Sequence, residues 1–216
     1  MEQVFQKHGW SIEAAQLTAP QIHQASDVLA RAFADDPGTS YLLPDPERRA
    51  RLLGTLFSSV LLVSATYCRI YITSGPLSGV AIWAPPEHPI PPVSIRNRMR
   101  VVGLMTRLGW SGFRRVWRQN SYTNRLHMQA VQGPHWHLML LGVEPDCQGC
   151  GLGSALLEQG LAEAESGGFA CYLETATMAN VQFYQRHGFK LLTAGAVPGG
   201  GPPCWTMLRA PASLPL

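Results

Sequence analysis

Three glycines alternate in Gln148-Gly149-Cys150-Gly151-Leu152-Gly153-Ser154, between an apolar run at 136–143 and an amphipathic run at 151–165. This bend constrains the chain more than any other feature. Glycine adopts backbone conformations closed to other residues and lets the main chain approach a ligand closely. The first-turn N–H groups of the following helix have no intrahelical partner and lie at the positive end of its dipole. Together they form a cradle for a pyrophosphate that needs no cationic side chain.

The periodicity on either side predicts a mixed α/β chain. Residues 11–17 alternate like a short strand, and 20–33 carry Ile22, Ala25, Leu29, Ala32 and Phe33 at helical spacing. A turn-rich stretch at 35–46 leads to a second, mostly buried helix at 47–66. Strands at 68–73 and 77–84, separated by Ser74, Gly75 and Pro76, form a hairpin. Pro85, Pro86, Pro89, Pro91 and Pro92 then break the chain. Two helices at 94–108 and 112–131 follow, joined around Gly109 to Gly112, and a strand covers 136–143. After the helix at 151–165, which stops at Gly167-Gly168, the pattern gives a strand at 169–175, a helix at 179–187, and strands at 189–193 and 204–208. There is no internal repeat.

With 216 residues, the chain suffices for one sizeable domain. A 46% hydrophobic content against 14% charged residues excludes a largely disordered chain. The formal charge of +3 is unevenly spread: residues 96–135 hold eight basic groups and no acidic one. Seven arginines (96, 98, 100, 107, 114, 115 and 118) share this segment with Trp110, Phe113 and Trp117. We read it as a solvated helical face with an aromatic underside. A sequence pI near 8.7 without a recognisable nucleic-acid module argues against nucleic-acid binding. The five cysteines (68, 147, 150, 171 and 204) form no disulfide framework, and residues 1–10 lack a secretory signature, so a cytoplasmic location is expected. The uncharged run at 52–68 is too short and too polar for a membrane span.

Two ligand classes use such a glycine bend. A dinucleotide fold requires G-x-G-x-x-G and an acid about 20 residues on. Gly149, Gly151 and Glu174 fit in part, but Ser154 holds the third glycine position. Only 42 residues remain after Glu174, from 216 less 174, too few to complete a doubly wound sheet. The other pattern is Gln-x-x-Gly-x-Gly after a strand ending Leu141-Gly142-Val143. Here the sequence resembles the GNAT acetyltransferase superfamily. Gln148, Gly151 and Gly153 match its acetyl-CoA pyrophosphate motif. Asn180, Phe183, Tyr184, Gly188 and Phe189 match its second motif, and the order of elements agrees along nearly the whole chain. Within the superfamily, the segments Ala32-Phe33-Ala34-Asp35, Ala81-Ile82-Trp83, Leu173-Glu174-Thr175 and Trp205-Thr206-Met207 are similar to the puromycin N-acetyltransferase branch. Cys150 departs from the Lys or Arg common in relatives, which touches only an outer phosphate contact.

The resemblance implies a GNAT fold in a single domain spanning 1–216, with a mixed, mostly antiparallel sheet and a helical insert at 94–132 before the fourth strand. It implies transfer of the acetyl group of acetyl-CoA to a small-molecule amine within a ternary complex. The alternative is a non-catalytic acetyl-CoA-binding regulatory module of the same fold. The cofactor contacts it implies are Leu141, Gly142 and Val143 in a splayed strand, the bend Gln148, Gly149, Cys150, Gly151, Leu152, Gly153 and Ser154, then Asn180, Phe183 and Tyr184.

An amine with a pKa near 10 needs help to lose its proton, since the free base costs about 4 kcal/mol at neutral pH. His137 lies where relatives carry a general base, and strand alternation puts it on one face with Met139, Leu141 and Val143. Glu174 is the competing base, or the group that orients His137 or the amine. Tyr184 occupies the superfamily's general-acid position and stays protonated at neutral pH. His135 and His137 share a strand face, but no third metal ligand is evident, and the transfer needs no metal. Cys147 and Cys150 form a lone C-x-x-C pair without a second. The expected partners are therefore acetyl-CoA and a small amine, without nucleic acid, membrane or metal, in a monomer or homodimer. Arg186 either reaches a cofactor phosphate or faces water.

Overall fold

A computed structural model describes residues 10–90 and 95–211. The parts of the expected proline break and first insert helix at 91–94 lie outside the described residues, as does nearly all of the expected signal-free N-terminus. Seven strands form one sheet in the order β1-β2-β3-β4-β5-β7-β6. They are β1 Ile12–Ala14, β2 Arg69–Thr73, β3 Gly79–Ala84, β4 His135–Val143, β5 Ala170–Thr175, β6 Lys190–Ala196 and β7 Pro203–Arg209. All neighbouring pairs are antiparallel except β4 and β5, which run parallel. The helices are α1 Ala19–Ala32, α2 Pro37–Leu42, α3 Pro46–Ser64, α4 Ile95–Ala130, α5 Leu152–Ser166 and α6 Met178–Arg186. This is the mixed, mostly antiparallel α/β fold anticipated from the sequence.

Local chemistry accounts for most boundaries. Thr18 and Gln21 form a capping box at the start of α1, with proline in its first turn. The segment expected to be only turns contains α2, because the Asp36 side chain accepts from the Gly38 and Thr39 N–H groups and Pro37 opens the helix. The insert runs as a helix pair interrupted at Gly109, whose φ of 69° and ψ of 177° only glycine adopts readily. The break thus falls where the sequence placed it. The aromatic underside does not exist: Trp110 and Trp117 are 75% and 63% exposed, and Trp110 stacks on Phe113. Leu104 and Leu108 form the buried side instead, against Leu43. The backbone break at Gly109 resets the helical phase, so the apolar stripe does not continue into the aromatics.

The sheet has two buried faces. On one, α5 packs Leu152, Leu156, Leu157 and Leu161 against Trp83, Trp136, Leu138 and Leu173. On the other, α1 and α3 pack Leu29, Leu53, Phe57 and Leu61 against Ile70, Ile72, Val80 and Ile82. Burying one such side chain is worth about 1.5–3 kcal/mol.

Simple alternation fails in β4, next to the candidate site. Ile82 pairs with Leu140 and Trp83 with Leu138, leaving Met139 as a bulge. Leu138, Leu141 and Val143 consequently join the α5 face, while Leu140 joins the α1/α3 face. Gly142 also faces α1, where a Cβ would lie 2.6 Å from Leu29. His137 therefore shares its face with Leu140 and Gly142. The expected grouping with Met139, Leu141 and Val143 is corrected by that one extra residue.

Candidate active site

The β4–β5 pairing opens at the sheet's centre. It runs from His135 opposite Ala170 to Leu138 opposite Leu173 and stops, although β4 continues to Val143 along β3. The last residues of β5, Glu174 and Thr175, pair only with β7. The β5-facing backbone groups of 139–143 thus border a gap, with unpaired donors available to a ligand. One acceptor is engaged at its end, where the Gln148 Nε2 donates to the Val143 carbonyl at 3.1 Å.

The gap leads to the glycine bend. Gly149 and Gly151 have φ of 76° and 86°. Gly151 is the N-cap of α5, with no side chain capping the helix and no acid in its first turn. The first intrahelical bond is Ala155 N–H to the Gly151 carbonyl, so the N–H groups of Leu152, Gly153 and Ser154 lie free for an anion. Leu152 contributes its amide alone, because its side chain is buried in the core. Gly153 sits against Phe183 and Val143, each 3.7 Å from where a Cβ would be. A groove of about 400 Å³ runs along the end of β4 and meets the bend at Gln148, lined also by Leu141, Gly142, Val143, Thr177 and Asn180. Its opposite wall comes from Arg31, Phe33, Asp35 and Asp36. The Arg31 guanidinium clamps Glu144 with bonds of 2.7 and 2.8 Å and fixes α1 to the end of β4. Cys147 and Cys150 are free thiols packed at the margin of the α5 core.

Tyr184, His137 and Glu174 do not line this groove. Tyr184 lies on the α5 face, buried between Phe183 and Phe189, and burial pushes its pKa well above the ordinary value. It is thus a neutral proton donor at physiological pH.

His137 and Glu174 lie together on the opposite face, at the mouth of the gap. The His137 Nε2 is 2.8 Å from the Glu174 Oε2, and its Nδ1 is 3.1 Å from the Pro89 carbonyl. Both neighbours are acceptors. Both ring nitrogens therefore donate, and the ring is an imidazolium paired with a carboxylate. Burial disfavours charge on His137, but the Glu174 carboxylate and the two hydrogen bonds outweigh it and hold its pKa above the usual value. Burial likewise opposes the Glu174 charge, and His137 outweighs it, holding the carboxyl below its usual value. His137 has no free lone pair, and the pair's open acceptor sites are on the carboxylate.

Three residues that the sequence reading passed over complete this cluster: His127, Tyr172 and Pro89. His127, in the last turn of α4, stacks on the Tyr172 ring at 4.3 Å between centroids. Its Nε2 lies 2.6 Å from that of His135, whose Nδ1 donates to the Gly133 carbonyl at 2.8 Å. His127 therefore donates and His135 accepts. Burial, then the charge of His137, lowers the His127 pKa to about 4, and burial lowers that of His135. The Tyr172 hydroxyl is buried beside the Glu174 carboxylate. Burial and the nearby Glu174 charge raise its pKa. A histidine in the last turn of an otherwise polar helix carries no local signal that the helix end lies against the sheet. Alternation in 170–175 could have placed Tyr172 beside Glu174. Asn180 and Arg186 are exposed on α6, and the Asn180 N–H is capped by Thr177.

A seven-stranded sheet that splays beside a glycine-lined helix start is the architecture of the GNAT fold. A sequence model of the acetyltransferase (GNAT) domain matches residues 106–191. Mycothiol acetyltransferase of Geodermatophilus obscurus is 36% identical over 87 residues, 38% of this chain and 27% of that protein. The match thus spans about a quarter of the curated relative. A crystal structure described as histone acetyltransferase HPA2 and related acetyltransferase, from Corynebacterium glutamicum, superposes with a TM-score of 0.69. It has 27% identity, over 96% of this chain and 99% of that one. PaiA N-acetyltransferase from Thermoplasma acidophilum, solved in complex with coenzyme A, shares the fold with a TM-score of 0.54 and 13% identity, over 93% and 99% of the two chains. These likenesses show the GNAT fold for the chain as a whole and a GNAT acetyltransferase sequence signature over residues 106–191.

Proposed function

We propose that the chain transfers the acetyl group of acetyl-CoA directly to the amine of a small molecule within a ternary complex. The observation that carries this reading is the gap between β4 and β5 opening onto an uncapped, glycine-lined helix start. The cradle fits a diphosphate: its donors are backbone amides, its bend needs two left-handed glycines, and the first turn of α5 carries no acid. The pantetheine arm then bonds to the free edge of Leu141 to Val143, with Asn180 on its other side.

The chemistry follows from the two sets of groups flanking the gap. The Glu174 carboxylate, steered by His137, attracts the substrate ammonium and takes its proton. The amine nitrogen bonds to the acetyl carbon, whose oxygen is stabilised by unpaired β4 amides. The carbon–sulfur bond breaks, Tyr184 supplies the proton to the leaving thiolate, and the second proton lost by the nitrogen passes through water to restore the phenol. The Asp35 to Pro44 segment and α4 wall the acceptor side. Similarity to the puromycin N-acetyltransferase branch puts aminoacyl nucleosides first among the acceptors, before polyamines, arylalkylamines and peptide N-termini.

A panel of these amines, followed by release of free CoA, tests the reading. Saturable turnover with at least one acceptor, lost in Tyr184→Phe with CoA affinity retained, is expected. CoA binding without turnover of any amine would instead make the chain a regulatory module.

A further inference from the structure

The cluster behind the proposed catalytic pair has a composition that acetyl transfer does not require. We propose that His127, His137 and Glu174 form a binding site for a divalent transition-metal ion of the Zn²⁺ class. Two imidazoles and a carboxylate suit such an ion. One ligand atom from each lies within 4.8 Å of the others. Tetrahedral zinc bonds of about 2.0–2.1 Å put ligand atoms roughly 3.3 Å apart. A modest closure of the His127 ring toward the pair therefore completes the site.

Backbone carbonyls around the cluster hold its imidazole rings in place. His137 is anchored through Nδ1 by the Pro89 carbonyl, which directs Nε2 into the cluster. His135 is anchored in the same way by the Gly133 carbonyl. An imidazole held through one nitrogen by a backbone carbonyl presents the other as a ligand with fixed orientation. The three ligands stand on α4, β4 and β5, which are regular elements rather than loops. Among the described residues Glu174 has no arginine or lysine partner, so no fixed cation competes for its oxygens. The metal replaces the proton between His137 Nε2 and Glu174 Oε2, and that proton leaves to water. Because it occupies the groups assigned to proton removal, bound metal excludes catalysis. Binding itself does not depend on the acetyltransferase reading.

Titrating chelator-treated chain with Co²⁺, in the absence of acetyl-CoA, tests the site. The expected result is one equivalent bound with visible d–d bands and no sulfur-to-metal band in the near ultraviolet, followed by displacement with Zn²⁺. His127→Asn should weaken binding at least about tenfold, whereas the double change Cys147→Ser and Cys150→Ser should leave it unchanged. X-ray absorption of the zinc-loaded parent chain gives the same answer without variants, as a nitrogen and oxygen shell lacking sulfur. No d–d bands, a sulfur shell, or unchanged affinity in folded His127→Asn would overturn the proposal. Failure of the amine panel alone would leave the metal titration intact, so the two readings fail separately.

Discussion

At the scale of single residues, the hydrogen bonds of one histidine ring decide between two candidate bases. Both ring nitrogens of His137 face acceptors, so in the proposed reaction it orients the carboxylate and Glu174 takes the proton. Glu174→Gln should then lower kcat/KM by about 10²–10³, with CoA affinity preserved, and His137→Asn should cost less. Steady-state kinetics with the best acceptor checks this, and the reverse order would return the base to His137. The same pair gives stability a pH dependence. The raised pKa of His137 makes its contribution full below its ordinary 6.5 and lost as pH rises through the folded value. The depressed pKa of Glu174 makes its contribution full above its ordinary 4.5 and lost as pH falls. The stability gap between the parent and Glu174→Gln, from denaturant unfolding, should therefore be widest between these two values and narrow above them. A gap independent of pH would contradict the ion pair.

At the scale of elements, glycines mark where helices must bend or approach closely. Gly109 holds α4 in a conformation that costs other residues about 1–3 kcal/mol, so Gly109→Ala should destabilise by that amount. Gly160 lets α5 lie on Trp83: a Cβ there would come within 2.2 Å of the indole. Gly160→Ala should cost about 1–3 kcal/mol through overpacking, measurable as a lower denaturant midpoint at constant slope. These positions also show what was legible beforehand. The seven strands and the glycine bend could be read because alternation, caps and glycines are local signals. The short helix α2 was hidden by the proline and glycine that also favour turns. The bulge at Met139 was invisible, because its cause is the pairing of β4 with β3 across some 60 residues of sequence, and it reversed the face assigned to Leu141 and Val143. His137 and Glu174 were each identified, and the parallel pairing of β4 with β5 brought them together. His127 needed the docking of a 36-residue helix, for which the sequence carries no sign.

At the scale of the whole molecule, the sheet separates two kinds of chemistry. The α5 face supplies the amide cradle and Tyr184, the opposite face supplies the His137 and Glu174 pair, and the opening between β4 and β5 is where they meet. Among the described residues no helix is long and apolar enough to cross a membrane. In the proposed reaction the Glu174 carboxylate attracts the ammonium and the bend the diphosphate, so donor and acceptor reach the opening from different sides. The central claim is that backbone amides at the bend hold acetyl-CoA. Isothermal titration calorimetry of the parent chain and of Gly151→Val tests it most directly. Gly151 sits at a φ of 86°, where a β-branched residue strains the backbone. The account predicts saturable one-to-one binding by the parent and a marked loss of affinity in the folded variant. No heat from the parent, or equal affinity in both chains, would contradict it.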